Sequence, residues 1–345
     1  MSGLLMLWFT SLAMTGAALA IMVGLLLARW GTRWRARARA EERRRLVPLL
    51  LGDGEEEIRP LLWLADKFIA ELMVELMQLV RGRERERFTA RAEALGVPER
   101  LRGQLGSGSS RVRQTAAEAL AYFEDERTTE GLRHALGDSN PDVRLTAALA
   151  LAQSGRAPPL RELVYRLDIG RSEKSLLVNA LFKELARHGT AELEALLRSP
   201  DAPLTARIAA ADALAEAGDY GSVSAIAEAA LGASENGPEL PRMLRALARL
   251  GHPAAAPAVA RALASAAPSA RAAAAEAAGR IGFANMADRL AELLGDPSWR
   301  VRFRSAQALV ALGDEGLARL RSAAAGGGPP ASEAATRILG EKGLA

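Results

Sequence analysis

The sequence predicts an all-α protein: an N-terminal transmembrane helix followed by an α-solenoid of stacked helix pairs. Three observations carry that expectation. Hydrophobic residues make up 49% of the 345 residues while aromatics make up 4%, so the apolar content is mostly Ala and Leu, which suit closely packed helices. A charge-free run opens the chain. A glycine-closed helical pattern then recurs to the end, and it points to an elongated array rather than one compact core.

From Leu4 to Ala28 no residue is charged. At about 1.5 Å per residue this run can cross a hydrocarbon core of roughly 30 Å, so residues 1–28 read as a transmembrane anchor. Ala17-Ala18-Leu19-Ala20 resembles a signal-peptidase site, but no basic segment precedes the run, and it stays apolar through Leu27. Residues 29–45 form a basic juxtamembrane segment with eight arginines against Glu41 and Glu42, so the rest of the chain is slightly acidic. The positive-inside rule then predicts a single-pass protein of the inner (cytoplasmic) membrane, its N-terminus outside and its body cytoplasmic. Trp8, Trp30 and Trp34 fall near the two ends of the span. Arg33, Arg35, Arg37 and Arg39 are candidates for contact with anionic lipid.

Residues 46–106 read as capping helices. Leu61, Leu64, Ala65, Phe68, Ile69, Leu72, Met73, Leu76, Leu79 and Val80 recur at helical spacing, and a face of Phe68, Leu72 and Leu76 is a candidate for dimerisation. Pro98 punctuates the helical pattern that follows. Gly103 to Ser110 reads as a flexible turn, because no strand precedes it and no Gly-Lys-Ser/Thr follows.

Residues 107–345 repeat. Gly155, Gly189, Gly218, Gly251, Gly282 and Gly313 each close a helix, with Glu124 in the equivalent first place. Eleven residues before these anchors stand Arg113, Arg144, Arg207, Arg271 and Arg302, and seven before stand Ala117, Ala148, Ala211, Ala275 and Ala306. Arginine and alanine four apart share one helix face, where small alanines admit a close neighbour. Six residues before three of the arginines lie Asp138, Asp201 and Asp296, placed to cap a helix and to face an arginine. Two units depart from the pattern, with Val178 and Leu240 in the arginine position, so a polar ladder between units is expected to break near the middle. Gly326 to Pro330 marks a break before a last helix, Ser332 to Leu339.

The runs Asp138-Ser-Asn-Pro-Asp-Val-Arg-Leu-Thr-Ala-Ala-Leu-Ala-Leu and Asp296-Pro-Ser-Trp-Arg-Val-Arg-Phe-Arg-Ser-Ala-Gln-Ala-Leu resemble HEAT repeats of the short, phycobiliprotein-lyase-like kind, in the armadillo-like helical class. With the anchor and basic flank, the whole resembles membrane-anchored bacterial HEAT proteins. The resemblance implies a non-enzymatic scaffold that holds a protein partner, accessory to a membrane or envelope polysaccharide complex. An enzyme or enzyme subunit of the phycobilin-lyase-like group, and a periplasmic structural envelope protein, stand as alternatives.

No catalytic, metal or cofactor residue is expected. His134, His188 and His252 are not followed by glutamate, whereas HEAT enzymes such as deoxyhypusine hydroxylase rely on paired His-Glu motifs. The absence of cysteine removes thiolate chemistry. The slightly acidic body argues against nucleic acid as a partner. The repeated arginines and aspartates read as a structural ladder, and Trp299, Tyr165 and Tyr220, near helix ends, as candidate partner contacts.

Overall fold

The computed structural model describes Met14, Met22, residues 69–170 and residues 176–344. Among the described residues every regular element is helical. The single-pass membrane localisation is corrected: no helix among these residues is long and apolar enough to cross a membrane. The apolar run Leu4 to Ala28, apart from Met14 and Met22, and the arginines at 33, 35, 37 and 39 lie outside the described residues.

The chain divides into two compact units, residues 1–123 and 124–345. In the first, α1 (Ile69–Leu79) buries Ile69, Leu72, Met73, Leu76 and Met77 on one side and packs on α3 (Val97–Gln104) and α4 (Ser110–Leu120). Leu72 and Leu76, expected on a dimer face, are thus occupied within the unit, and Phe68 lies outside the described residues. Leu79, the last residue of α1, is 68% exposed. Between them, α2 (Arg83–Ala94) buries only Phe88 and Ala92, and Pro98 opens α3 in its first turn, where a missing N–H costs nothing.

The second unit is an array of helix pairs. Its helices are α5 (Glu126–Ala135), α6 (Pro141–Gln153), α7 (Leu160–Arg166), α8 (Leu176–His188), α9 (Ala191–Arg198) and α10 (Leu204–Ala217). They continue as α11 (Val223–Gly232), α12 (Glu239–Leu250), α13 (Ala256–Leu263), α14 (Pro268–Ile281), α15 (Ala287–Glu292), α16 (Trp299–Ala311), α17 (Asp314–Gly326) and α18 (Pro329–Glu341). The helices α6, α10, α14 and α16, which bear the repeat arginine, and α12, with Leu240 in that place, each pack on the helix before, so α5/α6, α9/α10, α11/α12, α13/α14 and α15/α16 are hairpins. The aspartates therefore sit in the turns inside the hairpins, and the anchor glycines sit between hairpins. The even-numbered helices α8 to α16 also stack on one another in sequence, through alanine-rich faces such as Ala270, Ala274, Ala277 and Ala278 of α14. The break before the last helix narrows to Gly327 and Gly328, because α17 continues to Gly326 and α18 starts at Pro329.

Gly155, Gly218, Gly251, Gly282 and Gly313 all have φ between 67° and 88°. A helix ends cleanly on such a left-handed residue, which L side chains rarely adopt. At Gly282 an added Cβ meets nothing within 4 Å, so the cost of a side chain there is purely that of the backbone. Gly282→Ala is expected to lower stability by about 1 kcal/mol, measured by urea denaturation. An unchanged midpoint would show that the turn tolerates another conformation.

Candidate partner-binding surface

The hairpin turns share a device. Nη1 of Arg144 donates to the carbonyl of Asp138 at 2.9 Å, that of Arg271 to Ser265 at 2.9 Å, and that of Arg302 to Asp296 at 2.8 Å. In the first unit Arg113 Nη1 does the same to Ser107 at 2.8 Å. Each guanidinium thus reaches back six residues and closes its own turn onto a backbone carbonyl. The carboxylates serve elsewhere. Asp138 Oδ1 accepts the N–H of Asn140 at 2.8 Å, and Asn140 in turn caps α6. Asp296 accepts from Arg271 of the preceding hairpin, Nε to Oδ2 at 2.7 Å and Nη2 to Oδ1 at 2.9 Å, and also takes the Ser298 N–H at 2.8 Å. Asp201 is exposed and takes no part.

Arg207 departs from the rule. It closes no turn but reaches Glu239 Oε1 of the next hairpin at 3.1 Å. Glu239 stands beside Leu240, where the repeat arginine is absent, so the pattern break carries its own replacement. Two further links were not legible: Thr205 Oγ1 donates to the Ile169 carbonyl, and Glu235 Oε2 accepts from Ser265 Oγ at 3.0 Å and from Ala266 N at 3.1 Å. The expected break in the ladder is therefore filled by different side chains. From Ile169 onward, consecutive turns are joined through residues 169–205, 207–239, 235–265 and 271–296.

The outer surfaces of the helices also pair charge with charge. Lys183 of α8 meets Glu216 of α10, Asp212 of α10 meets Arg242 of α12, and Glu276 of α14 meets Arg304 of α16 at 3.7 Å. On the odd-numbered helices Arg198 meets Glu228 at 3.1 Å, and Asp288 meets Arg319 at 2.5 Å. Each such exposed pair contributes about 0–1 kcal/mol, and together they leave these faces largely self-satisfied.

The three candidate aromatics stand out from this lattice. Trp299, 65% exposed at the start of α16, lines a cleft of about 180 Å³ with Phe303, Pro330, Ala334 and Ile338, and the Arg300 guanidinium lies 5.8 Å from its ring centroid. Tyr165, 54% exposed on α7, lines a cleft of about 200 Å³ with Val164, Leu196, Ala202 and Pro203. Tyr220 follows Gly218 in a short 3-10 turn, and its ring centroid is 5.8 Å from that of His252. The structure does not bring the three together: Trp299 is the first residue of an even-numbered helix, Tyr165 on an odd-numbered helix, and Tyr220 in a turn between hairpins. Among the described residues no three His, Asp or Glu side chains form a group that could hold a metal ion.

Fold and repeats together define the class, an all-helical array of stacked helix pairs, in two segments of which HEAT repeats are detected. A family model described as HEAT repeats matches residues 98–173 and 260–340. Among solved structures, the karyopherin Kap121p bound to the extreme C-terminus of the protein phosphatase Cdc14p is 14% identical, with a TM-score of 0.51, and the match covers 86% of this chain and 39% of that one. The chain thus spans about two-fifths of that karyopherin. Human deoxyhypusine hydroxylase is 22% identical over 73% of this chain and 99% of its own, with a TM-score of 0.32, and an engineered protein is 19% identical over 86% and 98%, with a TM-score of 0.38. At these identities the likeness concerns fold alone. No curated protein matches the chain in sequence.

Proposed function

We propose that this protein is a non-enzymatic scaffold whose helical array holds a protein partner. The observation that carries this reading is the contrast between outer faces whose charges pair with one another and clefts on the same array that expose Trp299 and Tyr165. Exposed aromatics beside clefts have the character of interface anchors, the Tyr165 cleft mainly apolar and the Trp299 cleft mixing apolar groups with Arg302, Glu333, Arg337 and Glu341, and stacked helix repeats offer extended surface for them. The karyopherin of similar fold is bound, in its own structure, to a peptide from another protein, which supports the same use of such an array. The short-repeat resemblance belongs to this proposal. It adds no chemistry to it.

The test compares the full chain with Trp299→Ala and Tyr165→Ala, each with side chains removed from the surface and the core untouched. Circular dichroism and thermal midpoint are expected to remain unchanged, while the protein that co-purifies with the wild-type chain is reduced at least tenfold, the loss of about 1.4 kcal/mol or more expected of an anchor residue. Equal recovery of the partner by wild type and both variants would contradict the proposal.

A further inference from the structure

We propose that the joint between hairpins α9/α10 and α11/α12 is a proton-responsive hinge: protonation of Glu239 releases Arg207 and loosens this one joint while its neighbours stay locked. The geometry sets this joint apart. Its buried turn-to-turn link is one contact of 3.1 Å between two side chains that are 16% and 7% exposed, with Arg207 Nε and Glu239 Oε1 both buried without a hydrogen bond, while the more exposed Arg198–Glu228, Asp212–Arg242 and Ser222–Glu194 contacts bridge the same hairpins elsewhere. The equivalent link between α13/α14 and α15/α16 is the two-point contact of Arg271 with Asp296, backed by the Ser298 amide. The turn of α11/α12 also lacks a clamping arginine, because Leu240 occupies that place.

The charges around Glu239 leave Arg207 as its counter-ion. Helix α12 packs on α10, α11 and α14. From α10, Asp212 is taken by Arg242 of α12 itself, from α11 Glu228 is taken by Arg198, and from α14 Arg271 is taken by Asp296. Burial raises the Glu239 carboxyl above the ordinary glutamate value, against the opposing pull of the Arg207 charge. Asp296 shifts the other way. Its burial would raise it, but the Arg271 hydrogen bonds, the Ser298 N–H and the charges of Arg271 and Arg302 together hold it below the ordinary aspartate value. As pH falls, Glu239 therefore takes up a proton from solvent before Asp296 does. The buried guanidinium of Arg207 then has no counter-charge, and it gains by moving towards water.

The absence of native cysteine allows spin labels to be placed by paired substitutions in the full chain. Ala191→Cys with Ser224→Cys spans the α9/α10 to α11/α12 joint, and Ala260→Cys with Asn285→Cys spans the α13/α14 to α15/α16 joint held by Arg271 and Asp296, with all four positions exposed. The distance distribution of the first pair is expected to broaden between about pH 7 and about pH 4, just below the ordinary glutamate value, and that of the second pair to stay unchanged. Adding Glu239→Gln, which mimics the protonated acid, is expected to give the broad distribution at both pH values. A first pair that keeps the same distribution at both pH values, or a pH-dependent broadening that survives Glu239→Gln, overturns the proposal.

Discussion

Asp296→Ala is expected to lower the stability of the array by about 3–5 kcal/mol, because it leaves the buried Arg271 guanidinium without its partner. Asp296 is 4% exposed on its side chain and Arg271 13%, so solvent screens little of the interaction. The substitution removes three contacts at once: both bonds from Arg271 and the cap on Ser298 N–H. The pH dependence has a defined sign. Since the folded carboxyl is held below its ordinary value, its contribution is present above the ordinary aspartate pKa, near 3.9, and is lost as pH falls through the folded value. Urea titrations from about pH 7 to about pH 2 should show wild-type stability falling at the acid end more steeply than that of Asp296→Ala. Parallel curves would mean that Arg271 gains nothing from the ionised carboxylate.

Gly316→Ala is expected to be of similar severity, by a steric route. A Cβ at Gly316 of α17 would lie 1.9 Å from the carbonyl oxygen of Leu309 and 2.7 Å from its carbonyl carbon, both backbone atoms of α16 that no rotamer change can move aside. Gly279 of α14 makes a similar close approach, where a Cβ would lie 2.6 Å from Cα of Ala308. Overpacking of this kind costs about 3 kcal/mol, and Gly316→Ala should lower the thermal midpoint by roughly 6–12 °C for an array of this size. Gly282→Ala serves as the comparison, since only backbone conformation opposes it. A drop at Gly316 no greater than that at Gly282 would show that α16 and α17 separate easily.

The fold was largely legible because its signals are local. The glycine anchors and the alanine positions lie within one helix of each other, and their spacing reports helix length and helix face directly. The closing of each turn by its arginine was half visible: the six-residue separation stands in the sequence, but the acceptor is the carbonyl of Asp138 or Asp296, and carbonyls carry no sequence signature. The Arg271–Asp296 and Arg207–Glu239 links join residues of different hairpins, so their partners depend on how neighbours stack. A pattern break such as Leu240 could have prompted a search for a compensating acid nearby, and Glu239 is the adjacent residue. The dimer face failed for the opposite reason. Helical periodicity identifies an apolar face but not what covers it, and in α1 that cover comes from α3 and α4. Exposure of Trp299, Tyr165 and Tyr220 was equally beyond periodicity, and their placement on three different parts of the array follows only from the hairpin geometry.

The most direct test of the partner-holding array is site-specific photo-crosslinking of the full chain in the cells that make it. A photoreactive phenylalanine derivative is placed singly at Trp299, Tyr165 and Tyr220, and at Lys183 and Arg242 within the paired charge lattice. The array reading predicts a discrete adduct with one protein from Trp299 or Tyr165 and none from the two lattice positions. Adducts of equal yield from all five positions, or from none of them, would contradict it.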